Sequence, residues 1–404
     1  METNQNEKCD CTISSEASCC CSPSAGIRPL YREPDTGESD TPCCGPPPGP
    51  PGSPHERPGF TLCPFVETFI DTPAGPVPRV KTFLIRNDHL GALGVRIGIG
   101  RNSYRVAPGL YAAGTPDSQS PVLVTANYKL SFDHLRSQLT ETDVWILVLD
   151  TRGINVWCAA GKGTFGTAEL IQRVKTTGIS NVVAHRRLVL PQLGAVGVSA
   201  HKVRKGCGFE VVWGPIRAKD LKAFLAAGMT AEETMRRVTF TFFERLVLVP
   251  VEISLLRNYL LWALAVMFVL SGIGSHVFSV SAAWHRGIFA AGACLAGIIA
   301  GCVLVPVFLP WIPGRAFSSK GALAGLAIGV ISAAGFGASL HLSVGSGVAL
   351  VLITTTLGSF LAMNFTGSTP FTSPSGVEKE MRRAIPLQLI AALLAAGIWI
   401  GSAF

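Results

Sequence analysis

The pattern of apolar and polar positions divides the chain into parts of different character. Large hydrophobic residues are sparse before residue 58, alternate with polar residues from about 62 to 240, and form long runs after residue 258. A segment with few large hydrophobic residues cannot bury enough apolar surface to fold alone. Alternating apolar and polar residues are typical of an α/β domain, and long apolar runs are typical of membrane-crossing helices. We therefore predict a disordered Cys/Pro-rich tail at 1–58, an α/β domain at 59–240, an amphipathic linker at 241–257 and a transmembrane helical domain at 258–404.

Short β-rich runs alternate with helical patterns inside the α/β domain. The predicted strands are Pro121–Thr125, Val144–Asp150, Asn181–Ala184 and Phe209–Trp213. The predicted helices are Phe132–Leu139 after the N-cap Ser131, Ala168–Thr177 before Gly178, Ser199–Lys205 before Gly206, and Ala218–Ala227 before Gly228. This alternation predicts a parallel, Rossmann-like sheet that binds its ligand at the carboxyl ends of the strands.

Five apolar runs follow the linker, each of about 20 residues and long enough to cross the hydrocarbon core. They lie near residues 259–280, 287–309, 321–340, 344–363 and 384–403, and none contains Asp, Glu, Lys or Arg. Basic residues gather in alternate loops, at Arg245, Arg257, Arg315, Lys320, Lys379, Arg382 and Arg383, and the opposite loops carry only Arg286. The positive-inside rule then predicts a multi-pass protein of the cytoplasmic (inner) membrane, with the α/β domain in the cytosol and the C-terminus outside.

The third apolar run has a small residue at every fourth position, Gly321, Gly325 and Gly329. This spacing predicts close packing against a neighbouring helix. Ion and proton transporters normally carry ionisable residues within their spans. Because the five runs lack Asp, Glu, Lys and Arg, ion or proton transport is disfavoured, whereas a neutral substrate stays open.

The chain carries 12 cysteines and a formal net charge of +8. No stretch clusters Lys and Arg among aromatic residues, so we expect no nucleic-acid partner. The N-terminus lacks the pattern of a secretory signal, which predicts a cytosolic domain with reduced thiols. Seven cysteines lie before residue 58 in a spacing that fits neither a zinc nor an iron–sulfur site. They either bind a soft ion such as Hg(II) or Cu(I) or have no specific role.

The segment Asp150–Thr167, DTRGINVWCAAGKGTFGT, concentrates residues that can do chemistry. It is not a Walker A loop, because Val156 stands where that loop needs its first glycine. Gly161, Gly163 and Gly166 spell G-x-G-x-x-G, but they do not directly follow a predicted strand. The acidic residue expected about 20 positions later is also missing, so a nicotinamide site is disfavoured.

The same segment predicts a short helix that presents a cysteine. Asn155 is a strong N-cap residue, and the alanines after Cys158 favour helix. Cys158 then lies at the third position, where the helix dipole stabilises a thiolate and lowers the pKa of the thiol. Such a cysteine suits soft-metal ligation or nucleophilic chemistry, and the alternative is a buried structural cysteine. Trp157 belongs either to this cap or to the core.

The run Asn155-Val156-Trp157-Cys158-Ala159-Ala160-Gly161-Lys162 resembles the cap-helix motif of the corrinoid proteins of microbial mercury methylation. The resemblance covers about residues 62–404, and further similar stretches are Ser120–Lys129, Leu188–His201, Trp213–Pro215 and Asn364–Met381. The wider relatives are corrinoid iron–sulfur proteins of the acetyl-CoA pathway. We find neither their barrel domain nor their cluster-binding cysteine set in this sequence.

The resemblance implies a cobalamin-type corrinoid with Cys158 as the lower axial ligand to cobalt, and transfer of a methyl group from methyl-Co(III) to Hg(II), giving methylmercury. A thiolate donates electron density to cobalt, which favours methyl transfer to an electrophile, while the cofactor supplies the difficult chemistry. The residues implied to contact the corrinoid are Thr125, Asn155, Val156, Trp157, Cys158, Ala159, Ala160, Gly161, Lys162, Pro191, Gln192, Gly194 and Gly214.

Other potential ligands in the domain are His185, His201, Cys207 and Cys63. No histidine lies in the D-x-H-x-x-G pattern of a residue that displaces the lower base of a corrinoid. We interpret all four as structural.

The resemblance also implies partners. A ferredoxin-like protein with two [4Fe–4S] clusters would reduce cobalt, and a methyl-folate-dependent system would supply the methyl group. Two other functions stay open: a corrinoid methyl carrier of the acetyl-CoA type at the membrane, and a non-enzymatic membrane protein that binds thiophilic metals.

Overall fold

The computed structural model describes residues 57–59, 61–101, 103–275, 277–340, 343–369, 372 and 374–404, with 336–340, 367, 368 and 374 described by backbone alone. The tail predicted at 1–58 lies outside the described residues except for its last two.

A mixed sheet of seven strands forms the centre of the α/β domain. Its strands are β1 (Val66–Thr72), β2 (Gly75–Val80), β3 (Gly109–Ala113), β4 (Val122–Ala126), β5 (Val144–Leu149), β6 (Arg187–Leu190) and β7 (Glu210–Trp213). They lie in the order β1-β2-β3-β5-β4-β6-β7. β5, β4, β6 and β7 are parallel, whereas β1 is antiparallel to β2 and β3 to β5. The prediction of a wholly parallel sheet is therefore wrong for this edge.

The antiparallel edge arises from features that the apolar pattern does not reveal. β1 and β2 are joined by a two-residue turn, in which the Thr72 hydroxyl donates to the Gly75 carbonyl over 2.6 Å. Gly75 has a φ of +101°, which favours glycine. β3 consists of small and apolar residues without alternation, and all five are buried. A strand buried on both faces shows no period of two.

Helices cover both faces of the sheet. They are α1 (Arg86–Arg96), α2 (Lys129–Arg136), α3 (Val156–Gly161), α4 (Thr167–Thr177), α5 (Ala200–Cys207) and α6 (Leu221–Ala226). Alternate residues of β4 face opposite ways: Val122 and Val124 belong to the core beneath α4 and α5, and Leu123 to the core beneath α2 and α6. Burying both faces of β4 places it at the centre of the domain.

Local signals predict α4 well and two other helices less well. The stop at Gly178 is confirmed, because Gly178 adopts the left-handed conformation at the C-cap. The start of α2 after Ser131 is wrong: α2 begins at Lys129, whose ammonium group forms ion pairs that hold the first turn. The stop at Gly206 is also wrong, since α5 runs to Cys207 and ends at Gly208 with a φ of +78°.

The strand predicted at Asn181–Ala184 does not form. Residues Ile179–Asn181 form a 3₁₀ helix instead, and Val182 and Val183 pack into the core beyond it. The strand is β6, which pairs in parallel with both β4 and β7. The helix predicted at Ala218–Ala227 is a 3₁₀ turn, Ala218–Asp220, that continues into α6.

The region predicted as a linker is two short helices, α7 (Phe242–Leu246) and α8 (Val249–Leu255). The helices after them are α9 (Arg257–Gly272), α10 (Val280–Ile298), α11 (Val305–Val307), α12 (Phe317–Leu340), α13 (Val344–Asn364) and α14 (Pro374–Gly401). A π-helical turn at Ile299–Leu304 joins α10 to α11, and a two-stranded ladder of β8 (Ile273–Gly274) and β9 (Val277–Phe278) follows α9.

Four helical stretches of the described region are long and apolar enough to cross a membrane. They are Val280–Val307, Phe317–Gly335, Val344–Asn364 and Ser375–Gly401. The chain from Phe242 to Gly272 bends by 56° between α8 and α9, and counting this bent pair as one span raises the number to five. The helix in the first predicted run, near 259–280, is shorter than that run, because the strands β8 and β9 take the place of its last residues.

The small-residue spacing in α12 is confirmed as a packing face. A Cβ atom added at Gly321 would lie 2.3 Å from the Gly358 carbonyl oxygen of α13, and one at Gly325 would lie 2.6 Å from that of Thr354. Only glycine permits such an approach of two helix backbones. The stripe therefore holds α12 against α13.

Two buried cations bind carbonyl groups where α11 ends. The Arg245 guanidinium donates to the Val307 carbonyl over 3.1 Å and lies over the rings of Phe240 and Trp311. The Lys320 ammonium donates to the Leu309 carbonyl over 2.9 Å. Cations at a helix C-terminus satisfy its free carbonyls and oppose its dipole.

Candidate functional site

A cavity of about 390 Å³ opens at the carboxyl ends of β4, β6 and β7. β4 lies between β5 and β6 in the sheet. The chain therefore forms β5 on one side of β4 and then crosses over to form β6 on the other side. Open α/β sheets bind ligands at this kind of switch point. The volume lies within the range of about 300–1,000 Å³ that is usual for small-molecule sites.

The first turn of α3 forms one wall of the cavity. Asn155, Val156 and Trp157 line it. The Asn155 side chain accepts a hydrogen bond from the Cys158 amide over 2.9 Å, which confirms Asn155 as the N-cap. Trp157 is 42% exposed and lines the cavity, so of the two interpretations of this residue the cap is the one that fits.

A buried asparagine that the sequence reasoning missed holds the loop before α3. The Asn127 side-chain oxygen accepts hydrogen bonds from the amides of Thr151 and Gly153 at 3.1 and 3.0 Å. Its amide group donates to Asp150 over 3.0 Å. Arg152 and Gly153 both have positive φ values, so the loop is sharply turned. Asn127 therefore fixes where α3 begins, and its position directly after β4 was the one available signal.

Strand β4 and helix α2 add hydroxyl and imidazole groups to the cavity wall. Thr125 on β4 and Ser131 and His134 on α2 line the cavity. Thr125 is buried, and its hydroxyl has no hydrogen-bond partner among the described residues. His134 keeps an exposed surface, and partial desolvation, together with the charge of Arg96, lowers the pKa of its imidazole. A lowered pKa favours the neutral imidazole, which can accept or donate a hydrogen bond.

Cys158 lies one residue beyond the cavity-lining turn and is half-buried. Its surroundings include Tyr128, the N-cap of α2. Burial raises the pKa of the Tyr128 hydroxyl; Arg101 and Arg96 oppose the increase, and Tyr104 and Cys158 add to it. The Cys158 thiol thus lies within electrostatic range of the Tyr128 hydroxyl.

The structure brings together six of the thirteen predicted contact residues. Thr125, Asn155, Val156, Trp157, Pro191 and Gly214 line one cavity. Lys162 and Gly161 end α3 farther from it, and Gln192 accepts a hydrogen bond from Arg236 over 2.6 Å. The cavity also contains residues that were not predicted, among them Leu193, Pro215 and Ile216.

Three predicted contact residues have packing roles that are visible in the structure. Ala159 and Ala160 lie in the core beneath α4 and α5. A Cβ atom at Gly194 would lie 2.5 Å from the Phe165 ring, so a side chain there would displace that ring. Ala159, Ala160 and Gly194 therefore contribute to packing in the domain core.

His185 and Cys207 have hydrogen-bond partners away from the cavity. The His185 ring lies 2.9 Å from the Ser120 carbonyl oxygen, and the Cys207 thiol donates to the Val203 carbonyl over 3.3 Å. Burial raises the pKa of Cys63, with Lys129 opposing it. In the part of the chain that the structure describes, no cluster of three His, Cys, Asp or Glu side chains could hold a metal ion.

Comparison with known proteins gives relatives for this domain. A protein family described as CO dehydrogenase/acetyl-CoA synthase delta subunit (CdhD) matches residues 99–225. The gamma subunit of the acetyl-CoA decarbonylase/synthase complex of Methanopyrus kandleri is 35% identical over 127 residues, which are 31% of this chain and 27% of that protein. The corrinoid/iron-sulfur protein large subunit of Moorella thermoacetica is 30% identical over 129 residues, or 31% of this chain and 28% of that protein.

These matches extend over only part of each protein. The chain spans little more than a quarter of the length of these curated relatives. The family match begins after α1 and ends within α6, so it contains β3 to β7, the cavity and α3. The domain that carries the candidate site is thus similar to subunits of acetyl-CoA pathway corrinoid proteins.

Proposed function

We propose that the cavity beside α3 binds a corrinoid and that the protein transfers a methyl group from it to Hg(II). The observation that carries this proposal is the position of the cap turn, with Cys158 next to it, beside the cavity at the carboxyl ends of β4, β6 and β7. The domain is also similar to a corrinoid/iron-sulfur protein large subunit. The mercury step rests on the motif Asn155–Lys162, which resembles that of mercury-methylating corrinoid proteins.

The chemistry of the residues present fits a corrinoid, of which the cavity of about 390 Å³ would enclose one part. Such a ligand is partly apolar with a polar amide periphery, and the cavity combines aliphatic walls with the unpartnered hydroxyl of Thr125. The half-buried thiol of Cys158 is a soft donor that would hold its cobalt. When bound, the corrinoid would supply a methyl group on cobalt, which is chemistry that no side chain provides.

The chain's own residues would orient and tune this group. Cys158, as a thiolate, would hold the cobalt and donate electron density to it, which suits an electrophilic methyl acceptor such as Hg(II). Asn155 holds the Cys158 amide and thereby the position of the side chain on the helix. Trp157 and Val156 border the cavity and would exclude water from the ligand. Thr125 and His134 would hydrogen-bond its polar periphery.

The Rossmann-like character and the membrane placement belong to the same proposal. The parallel strands lie in the order β5-β4-β6-β7, which matches the start of the flavodoxin-like doubly wound order 2-1-3-4-5, a relative of the Rossmann sheet that binds its ligand by the same rule. The apolar helices would anchor the protein in the cytoplasmic membrane with the α/β domain in the cytosol. A ferredoxin-like protein with two [4Fe–4S] clusters would supply electrons, and a methyl-folate system the methyl group.

A methylation assay with matched variants tests the proposal. Membranes containing the full chain, the electron donor and a methyl-folate system are incubated with Hg(II), and methylmercury is measured. We expect Cys158→Ala to abolish product and Cys207→Ala to retain it, because the Cys207 thiol bonds within its own helix. Full activity of Cys158→Ala would remove the assigned role of the thiol.

The curated relatives favour a second candidate function, a methyl carrier of the acetyl-CoA type. In that case the methyl acceptor is another enzyme rather than Hg(II). Loss of a methyl group from the loaded protein on addition of an acetyl-CoA synthase, with no loss on addition of Hg(II), would support this second function.

A further inference from the structure

Helix α1 turns its apolar side away from the domain to which it belongs. Leu90, Leu93 and Ile97 recur at helical spacing and are 66%, 57% and 43% exposed. Asp88 and Val95, on the opposite side, are the buried residues of this helix. Amphipathic helices of globular domains normally bury the apolar face. Here it is unpartnered among the described residues.

The apolar face of α1 continues onto the helices that lead into the first apolar span. α1 packs against α8, and a Cβ atom added at Gly98, just after α1, would lie 2.7 Å from the Ser254 hydroxyl. Ile253 and Leu255 of α8 are likewise exposed. The next helix, α9, begins at Arg257. The end of α1 therefore lies at the level where the chain changes from a soluble domain to apolar helices.

The unburied charged side chains of α1 are cationic, and the adjoining α8 adds one carboxylate, Glu252. Arg86 and Arg96 lie on α1 and Arg101 follows it, whereas Asp88 is the one carboxylate of the helix. Asp88 is buried and paired with Lys129 and Arg136, so it does not offset the exposed cations. An apolar stripe flanked by arginines is the surface that an amphipathic helix presents to anionic lipid headgroups.

We propose that α1 lies on the cytosolic face of the membrane, with Leu90, Leu93 and Ile97 inserted among the lipids. This rests on the proposed membrane placement of the helical region. The α/β domain is joined to the apolar helices through α7 and α8, and the contact of α1 with the lipids would be its second attachment to the membrane. Two attachments fix which side of the domain faces the bilayer. The cavity, which α1 does not line, is left open to cytosolic partners.

Photo-crosslinking in nanodiscs tests the contact on the full chain. A benzophenone amino acid is placed at Leu93, at Leu393 of α14 as a lipid-facing reference, or at Gln172 on the exposed side of α4 as a negative reference. Lipid adducts are measured by mass spectrometry in discs of anionic and of neutral phospholipid. We expect lipid adducts at Leu93 and Leu393 but not Gln172, with the Leu93 yield falling roughly fivefold in neutral lipid.

The other outcomes overturn different statements. Adducts at Leu393 without any at Leu93, or adducts at Leu93 to a second copy of the chain or another protein, would refute the surface contact and leave the membrane placement standing. Equal yields at Leu93 and Gln172 would also refute it, because the labelling would be nonspecific. Adducts at neither Leu93 nor Leu393 would refute the membrane placement itself.

Discussion

The Cys158 amide and the Asn155 side chain are joined by a hydrogen bond of 2.9 Å. This contact satisfies one of the free amides at the start of α3 and sets the first turn of the helix. Because that turn also lines the cavity, the residue that caps the helix positions the thiol beside the candidate site. The N-cap residue that the sequence predicts is thus also a residue that shapes the candidate site.

Replacing Asn155 tests the capping role. Asn155→Ala removes the acceptor and should destabilise the domain by about 1 kcal/mol, whereas Asn155→Ser keeps an acceptor and should lose only a few tenths. Chemical denaturation gives the stability, and titration with a corrinoid gives the affinity. Equal stabilities for the two variants would show that the cap contributes nothing.

Replacing Asn127 tests the support of the loop before α3. Asn127→Ala leaves the amides of Thr151 and Gly153 without their acceptor, at about 1–3 kcal/mol for each buried group. Gln172→Ala, on the exposed side of α4, is the control and should change stability by less than about 0.5 kcal/mol. Hydrogen exchange of residues 150–158 should accelerate in Asn127→Ala. Unchanged exchange there would contradict the positioning role.

A buried quartet of charges predicts a pH dependence. Lys129 and Arg136 each contact Asp88 and Asp133 at 2.5–2.8 Å. Burial works to raise the pKa of Asp88, but hydrogen bonds from Lys129, the Ile85 amide and Arg136 outweigh it and lower the pKa. For Lys129, burial works to lower the pKa, but the hydrogen bonds that its ammonium group donates to Asp133 and Asp88 raise it. The quartet is therefore most stable when all its members are charged.

We expect Lys129→Met to cost roughly 3–5 kcal/mol near neutral pH, since it leaves two buried carboxylates that share the single positive charge of Arg136. Because the pKa of Asp88 is lowered in the folded protein, its ion pairs contribute their full stability at pH values above the ordinary pKa of about 3.9. This stability is lost as the pH falls through the pKa of Asp88 in the folded state. The cost of Lys129→Met should therefore shrink in acid, and also at high pH once Lys129 deprotonates. Denaturation of both proteins across pH measures this, with Lys175→Met on α4 as control. A cost independent of pH would contradict the account.

The packing of α12 on α13 predicts that a single methyl group is disruptive. Gly325→Ala places a Cβ atom against the Thr354 carbonyl and should destabilise the helical region by about 1–3 kcal/mol. Gly347→Ala in α13 meets open space and is the matched control, expected to be neutral or stabilising. Thermal unfolding in detergent compares the two. Equal melting temperatures would mean that the helices do not pack as described.

Sequence reasoning succeeded where the signal is local. The stop at Gly178 and the cap at Asn155 each depend on one residue and its neighbours, and both are confirmed. β6 was missed because Arg187 opens it and the nearby pair Val182-Val183 looks more strand-like. Those valines are instead buried beyond a 3₁₀ turn.

Contacts between distant residues account for what the sequence did not reveal. Asn127 acts on a loop more than 20 residues away, and His134 reaches the cavity only because α2 packs against β4. The outward face of α1 has the periodicity of an ordinary buried helix, and the side of it that is buried depends on the tertiary fold. The periodicity of apolar residues predicts that α1 has an apolar face, but it does not predict what packs against that face.

The central claim is a corrinoid site that depends on Cys158, and cobalt content with visible absorption of the purified full chain tests it most directly. The wild type, Cys158→Ala and Cys207→Ala are each reconstituted with a corrinoid and freed of excess. We predict near-stoichiometric cobalt in the wild type and Cys207→Ala with the same spectrum, and a spectrum altered or lost in Cys158→Ala. A wild type that retains no cobalt, or a Cys158→Ala spectrum identical to that of the wild type, would contradict the account.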